Sequence, residues 1–212
     1  MEKSELLKDL KDKKPVDFYT GKAYRDLAAI PLLLVIMETE KSAAKYQAEK
    51  VIRQISEERP ELLVPYFERI VRLLESPNTF IKWGVILTIP NLLQTIRPHQ
   101  WQQTREKYLA SLKSQNVAEF GNIVSCIKKI LNVYPEEEHG IIPILLQIDG
   151  RMFLHQGEAS PECLNVAKGH ILDCFAAIYD RSVFKREMLA FADQNKENPR
   201  NQVRIKANRL LK

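Results

Sequence analysis

Residues 42–58, SAAKYQAEKVIRQISEE, decide the fold, because their apolar pattern returns 38 residues on at 80–96, FIKWGVILTIPNLLQTI, and again at 118–134, AEFGNIVSCIKKILNVY. Ala48, Ile86 and Val124 fall in one row, Val51, Ile89 and Ile127 in a second, and Ile55, Leu93 and Leu131 in a third. Within the first stretch Ala44, Ala48, Val51, Ile52 and Ile55 recur at steps of three and four, which sets them on one stripe of a helix. Outward from there, Leu32, Ile70, Tyr108 and Leu146 form another row at the same interval, and so do Ile36, Leu74 and Leu112. A period of this size marks helix pairs that cannot bury their apolar faces alone and stack on their neighbours to do so. The expected fold class is all-α, an α-α solenoid.

The punctuation repeats with the rows. Residues 1–21 read as a short amphipathic helix through Leu6, Leu7 and Leu10, stopped by Pro15 and followed by a linker carrying Asp17, Thr20 and Gly21. Five repeats are expected after it, at 22–59, 60–97, 98–134, 135–180 and 181–212, in one domain. Pro60, Pro98 and Pro135 open successive units, where the missing proline N–H costs nothing in a first helical turn. Ser42 is the expected N-cap of the first unit's second helix, and Ser76-Pro77-Asn78 and Ser114-Gln115-Asn116 split the next two. The fourth unit is lengthened, its second helix starting only at Pro161, and such insertions project from one edge of a solenoid.

Two features resemble HEAT repeats. Residues Val203-Arg204-Ile205-Lys206-Ala207-Asn208-Arg209-Leu210-Leu211 match the second-helix signature, and Val64-Pro65, Ile142-Pro143 and Ile30-Pro31 match the proline that bends the first helix. Glu119 departs from the pattern, standing where a basic residue is usual. The resemblance, to the ARM/HEAT-like α-solenoids, implies a right-handed superhelix of about five hairpins plus an N-terminal helix. It also implies that second helices line a concave side and that the role is binding or scaffolding.

The composition is globular, 45% hydrophobic and 28% charged, and seven glycines in 212 residues argue against a turn-rich β protein. The longest apolar run, Leu27 to Met37, holds Pro31 and is too short to cross a bilayer, so a membrane partner is not expected. With no signal-like N-terminal segment and three cysteines in no disulfide-like framework, a reduced cytoplasmic protein is the expectation. No glycine-rich phosphate loop, His-Glu-x-x-His or Cys-x-x-Cys occurs, and neither catalytic residues nor a cofactor are expected. Cys163, His170 and Cys174 share a helical stripe, but a rise of about 1.5 Å per residue puts the two cysteines roughly 16 Å apart, too far to share a metal.

What remains is surface. Arg53, Asn91 and Lys129 repeat at 38 residues beside the apolar stripe, with Lys50 and Thr88 next to them, and read either as a partner-binding ridge or as a solvated face. Trp83 aligns with Lys45 and Gly121, and reads either as a buried core ring or as an anchor for a partner in a pocket floored by Gly121. From Arg181 on, nine basic residues face three acidic ones, within a net charge of +5; Arg200, Arg204, Lys206 and Arg209 form a candidate basic patch. Three functions follow: a non-catalytic module that holds an extended protein or peptide partner in its concave groove, a nucleic-acid binder using the basic end, or a structural subunit of a larger complex.

Overall fold

The computed structural model describes residues 2–12 and 14–212. Among them are twelve α-helices and one two-stranded hairpin, in two compact units, Met1–Tyr108 and Leu109–Lys212. The first unit holds α1 (Lys3–Lys11), α2 (Val16–Arg25), α3 (Ala29–Thr39), α4 (Ala44–Glu58), α5 (Phe67–Arg72) and α6 (Thr79–Leu92), and α7 (Pro98–Leu109) ends it. The second holds α8 (Val117–Val133), α9 (Glu138–Leu146), α10 (Pro161–Ile178), α11 (Lys185–Asn195) and α12 (Asn201–Leu210). In the first unit α4 packs against α2, α3 and α6; in the second α10 packs between α8 and α12. Within each unit, second helices of neighbouring repeats therefore lie side by side, and the fold is an ARM/HEAT-like repeat solenoid.

The rows that recur at 38 residues are the core. Ala48, Ile86 and Val124, then Val51, Ile89 and Ile127, then Ile55, Leu93 and Leu131, then Ile36, Leu74 and Leu112 are all buried. In the remaining row Ile70 and Tyr108 are buried, while Leu32 and Leu146 are half-buried and their neighbours Leu33 and Leu145 take the interior. Polar contacts repeat at nearly the same interval. The Arg69 guanidinium binds the Glu38 carboxylate at 2.6 Å and the Pro31 carbonyl at 3.4 Å, Lys107 pairs with Glu75 at 2.9 Å, and Arg151 donates to the Leu112 and Ser114 carbonyls. Each links one repeat to the next, which locks the stacking register that apolar faces alone would leave free to slide.

Local sequence explains most helix ends. Asn78 accepts from the Ile81 amide at 3.2 Å, Asn116 from Ala118 and Glu119, and Ser160 from Cys163, each satisfying first-turn donors. Pro65, without an N–H to donate, divides its stretch into a 3₁₀ segment, Pro60–Tyr66, and the short α5. Two expectations fail here. Residues 16–21, read as a linker, join residues 22–25 of the expected first repeat in α2: Thr20 returns its hydroxyl to the Val16 and Asp17 carbonyls, and buried Tyr19 and Ala23 give the segment a packing face. Ser42 does not cap α4, which starts at Ala44 behind Ala43, and its hydroxyl is buried without a partner.

The lengthened fourth repeat is ordered. Leu154–His155 and Glu158–Ala159 pair antiparallel across Gln156 and Gly157, whose φ of 53° and 87° are those of a two-residue hairpin turn with the handedness strand twist prefers. The Leu154 amide donates to the Gln115 carbonyl at 3.0 Å, and the Arg151 guanidinium lies 5.1 Å from the centres of the Phe120 and Phe153 rings.

Candidate partner-binding surfaces

In the first unit α4 and α6 meet along a polar seam. Glu49, 9% exposed, lies against Gly84, its Cγ, Cδ and Oε1 filling the space a Cβ would take. Arg53 reaches its carboxylate at 3.1 Å, yet burial outweighs that pairing and raises the Glu49 pKa above the usual carboxylate range. Further along, Asn91 donates to the Ser56 hydroxyl at 2.8 Å and to the Leu87 carbonyl, and Thr88 is buried with its hydroxyl on the Gly84 carbonyl. Thr88 thus belongs to the interior and not to the polar face expected of it, because back-bonding to its own helix satisfies the hydroxyl. Arg53 and Asn91 are half-buried and engaged in the seam, whereas Lys50 on α4 is exposed.

Trp83 is half-buried, and its indole N–H is shielded without an acceptor. It ends an edge-to-face stack, Trp83 to Phe80 at 5.3 Å and Phe80 to Tyr46 at 5.7 Å, in which the Phe80 ring is 61% exposed. The Tyr46 hydroxyl accepts from Asn78 at 3.2 Å, and the Lys45 ammonium sits 5.2 Å from the Tyr46 ring centre. Sequence reasoning missed this stack. Tyr46 and Phe80 are 34 residues apart, off the repeat interval, and only the offset between α4 and α6 brings them together.

Beside Tyr46 opens a cleft of about 610 Å³ between the α1–α2 connection and α4, with Lys11, Lys14 and Lys50 on its walls. Lys14 is fastened on both sides: its amide donates at 3.1 Å to the Tyr19 hydroxyl, which donates to the Asp9 carbonyl at 2.7 Å, and its carbonyl accepts from Gln47 at 2.9 Å. A smaller hollow of about 170 Å³, between Arg53, Gln54 and Glu57, shares Val16 and Lys50 with it.

In the second unit Lys129 is exposed on α8. The pocket imagined over Gly121 is filled: a methyl there would come within 2.7 Å of the His170 Nε2 from α10, so the glycine makes room for an imidazole of its own chain. Burial, helped by the nearby Lys206 ammonium, lowers the His170 pKa below its ordinary value, against the pull of Asp173. Cys174 is buried, which pushes its thiol up to about 12 and leaves it a poor nucleophile at neutral pH. Among the described residues no three His, Cys, Asp or Glu side chains converge on a point.

The basic end is partly neutralised by its own neighbours. Arg200 pairs with Glu162, and Lys206 binds Asp173 at 2.6 Å and the Gly169 carbonyl at 3.3 Å, both from α10. Arg204 donates to the Asn198 and Pro199 carbonyls, while Arg209 stays exposed. Lys196, Arg204, Arg209 and Lys212 surround a shallow depression of about 600 Å³ that also contains Glu197. No helix among the described residues is long and apolar enough to cross a membrane.

No protein-family model matches this sequence, and no curated protein is similar to it at the sequence level. Solved structures do share the fold. A designed armadillo repeat protein, YIII(Dq)4CqI, superimposes with a TM-score of 0.57 at 17% identity over 99% of this chain and 91% of its own. A related design in complex with the peptide (KR)4 gives 0.57 at 15% identity over 91% and 84%. A third, computationally designed for modular peptide recognition, gives 0.56 at 15% identity over 99% and 98%.

Proposed function

We propose that this chain is a non-catalytic interaction module that binds an extended protein or peptide segment along its second helices. One observation carries the reading: α6 presents Phe80 to solvent beside the half-buried Trp83, in a stack whose other end, Tyr46 on α4, carries the Lys45 ammonium. A large exposed ring backed by a second aromatic, with charge at its rim, is the composition of an interface hot spot. The fold neighbours include proteins made for peptide recognition, which supports the same use of the scaffold here. Their ligand charge does not carry over, since Lys11, Lys14 and Lys50 line the cleft beside Tyr46 and would repel a peptide of lysines and arginines. Arg53 and Asn91 then act by holding α4 on α6, and Lys129 is proposed as a separate contact on the second unit.

The nucleic-acid reading, through Arg204, Arg209 and their neighbours, is the weaker proposal because Glu162 and Asp173 already neutralise Arg200 and Lys206. Affinity capture of the partner, followed by titration of two variants, decides between them. Lys50→Glu/Trp83→Ala should weaken that partner at least tenfold with unchanged helicity, and Arg204→Ser/Arg209→Ser should leave it within twofold. The reverse pattern, with tight and steeply salt-dependent binding to duplex DNA or RNA, would overturn the proposal.

A further inference from the structure

We propose that the cleft between the α1–α2 connection and α4 receives an acidic peptide segment carrying a bulky apolar side chain. The inference rests on the peptide-binding reading and adds the partner's chemistry and its point of attachment. The floor is apolar, made by Leu10, Pro15, Val16, Ala43 and Ala44 with the Tyr46 ring. Lys11, Lys14 and Lys50, all exposed, line its walls, the Lys14 ammonium resting 4.4 Å from the Phe18 ring centre, and no carboxylate is among the described residues that line the cleft. The acids around it have partners of their own: Asp9 pairs with Lys22, Asp17 accepts from the Gln54 amide at 2.6 Å, and Glu40, which also feels the Lys11 charge, accepts from the Ser42 amide at 2.9 Å.

The volume, about 610 Å³, is that of a site for one or two side chains. An apolar side chain on the floor would place flanking carboxylates against the rim, where the incoming charge relieves repulsion among the three lysines. A lysine-rich segment would meet like charge on every wall. A nucleic-acid backbone would satisfy the lysines but offers nothing apolar to the floor. Two continuities extend the site beyond one anchor. Val16 and Lys50 carry it into the hollow at Arg53, and Tyr46 carries it to the exposed Phe80 ring and the half-buried Trp83 behind it, so a segment of several residues has further places to rest. Hydrogen bonds to Gln47 and Tyr19 hold the Lys14 backbone in place before any ligand arrives, which lowers the ordering cost of binding.

The test uses the full chain and fluorescence anisotropy with three labelled octapeptides: EDFEDLEE, its charge-inverted counterpart KRFKRLKK, and EDSEDSEE, which lacks the apolar side chains. EDFEDLEE should bind at least tenfold tighter than either control and weaken several-fold between 50 and 200 mM salt. Lys11→Glu/Lys14→Glu should remove at least tenfold of that affinity with unchanged circular dichroism, and Lys11→Gln/Lys14→Gln an intermediate amount. Equal binding of the charge-inverted peptide, or undiminished binding by the Lys11→Glu/Lys14→Glu protein, would overturn the inference. If Phe80→Ala/Trp83→Ala abolishes binding while Lys11→Glu/Lys14→Glu does not, the cleft is not the site but the peptide reading stands. If no peptide binds and duplex DNA does, both fail.

Discussion

Replacing Gly84 by alanine tests the seam between α4 and α6. In isolation the change favours a helix interior by about 1 kcal/mol. Here the new methyl would occupy the space filled by three consecutive atoms of Glu49, so a small adjustment is not enough and the side chain must change rotamer. It would leave its 3.1 Å contact with Arg53 and push into a closely packed seam, which puts the cost in the upper part of the overpacking range, about 2–3 kcal/mol. The net expectation for Gly84→Ala is a loss of about 1–2 kcal/mol, or roughly 2–8 °C in melting temperature for a chain of this size. Glu49→Ala removes the obstacle, so adding Gly84→Ala to it should return about 1 kcal/mol of helix propensity. The two substitutions should therefore couple by about 2–3 kcal/mol in a double-mutant cycle read by urea denaturation. A stabilising single Gly84→Ala, or a coupling near zero, would refute the packing of Glu49 on Gly84.

The buried charges carry pH signatures of opposite sign. Glu49 has a raised pKa, so the fold disfavours its ionised form relative to the unfolded chain, and its destabilisation grows as pH climbs from about 4.5 through the raised value. Glu49→Gln should flatten that part of the stability profile and hold or raise the melting temperature at pH 7. His170 has a lowered pKa, so the neutral ring is favoured and stability is lost as pH falls from about 6.5 through the lowered value. His170→Asn should remove this acid limb in thermal scans at pH 5 to 7, and an unchanged limb would exclude His170 as its source. In the core, Ile70→Val should cost about 0.5–1.5 kcal/mol, whereas Ile89→Asp buries a carboxylate without a partner and should cost at least several kcal/mol; a wild-type thermal transition in Ile89→Asp would contradict the repeat register.

The core was legible because burial depends on a periodicity that side-chain chemistry writes into the sequence: Val51, Ile89 and Ile127 can only be interior once a 38-residue stack is assumed, and they are. The surfaces were less so, because exposure depends on the offset between neighbouring helices, which periodicity does not encode. Arg53 and Asn91 lie one repeat apart in sequence, yet Asn91 faces Ser56, 35 residues back, and is drawn into the seam. Substituting Arg53, expected from its place beside the apolar stripe to be nearly neutral, should instead cost about 1–2 kcal/mol because it is the partner of a buried carboxylate. Gly84 and Gly121 showed only as missing side chains; that Glu49 and His170 occupy those spaces depends on atoms contributed by another helix. The lysine-lined cleft was hidden for a different reason. Part of one wall was read as a linker, and only the packing of α1 and α2 on α4 brings Lys11, Lys14 and Lys50 to one cleft.

The central claim, peptide recognition on the second helices, is tested most directly by hydrogen-exchange mass spectrometry of the chain with and without a bound peptide selected from a random display library. Slowed exchange in the first unit should concentrate at residues 10–16 and along α4 and α6, around Lys50, Phe80 and Trp83. A footprint confined to α5 and α7, or to α12 at the basic end, would contradict the account, as would a library that yields no binder.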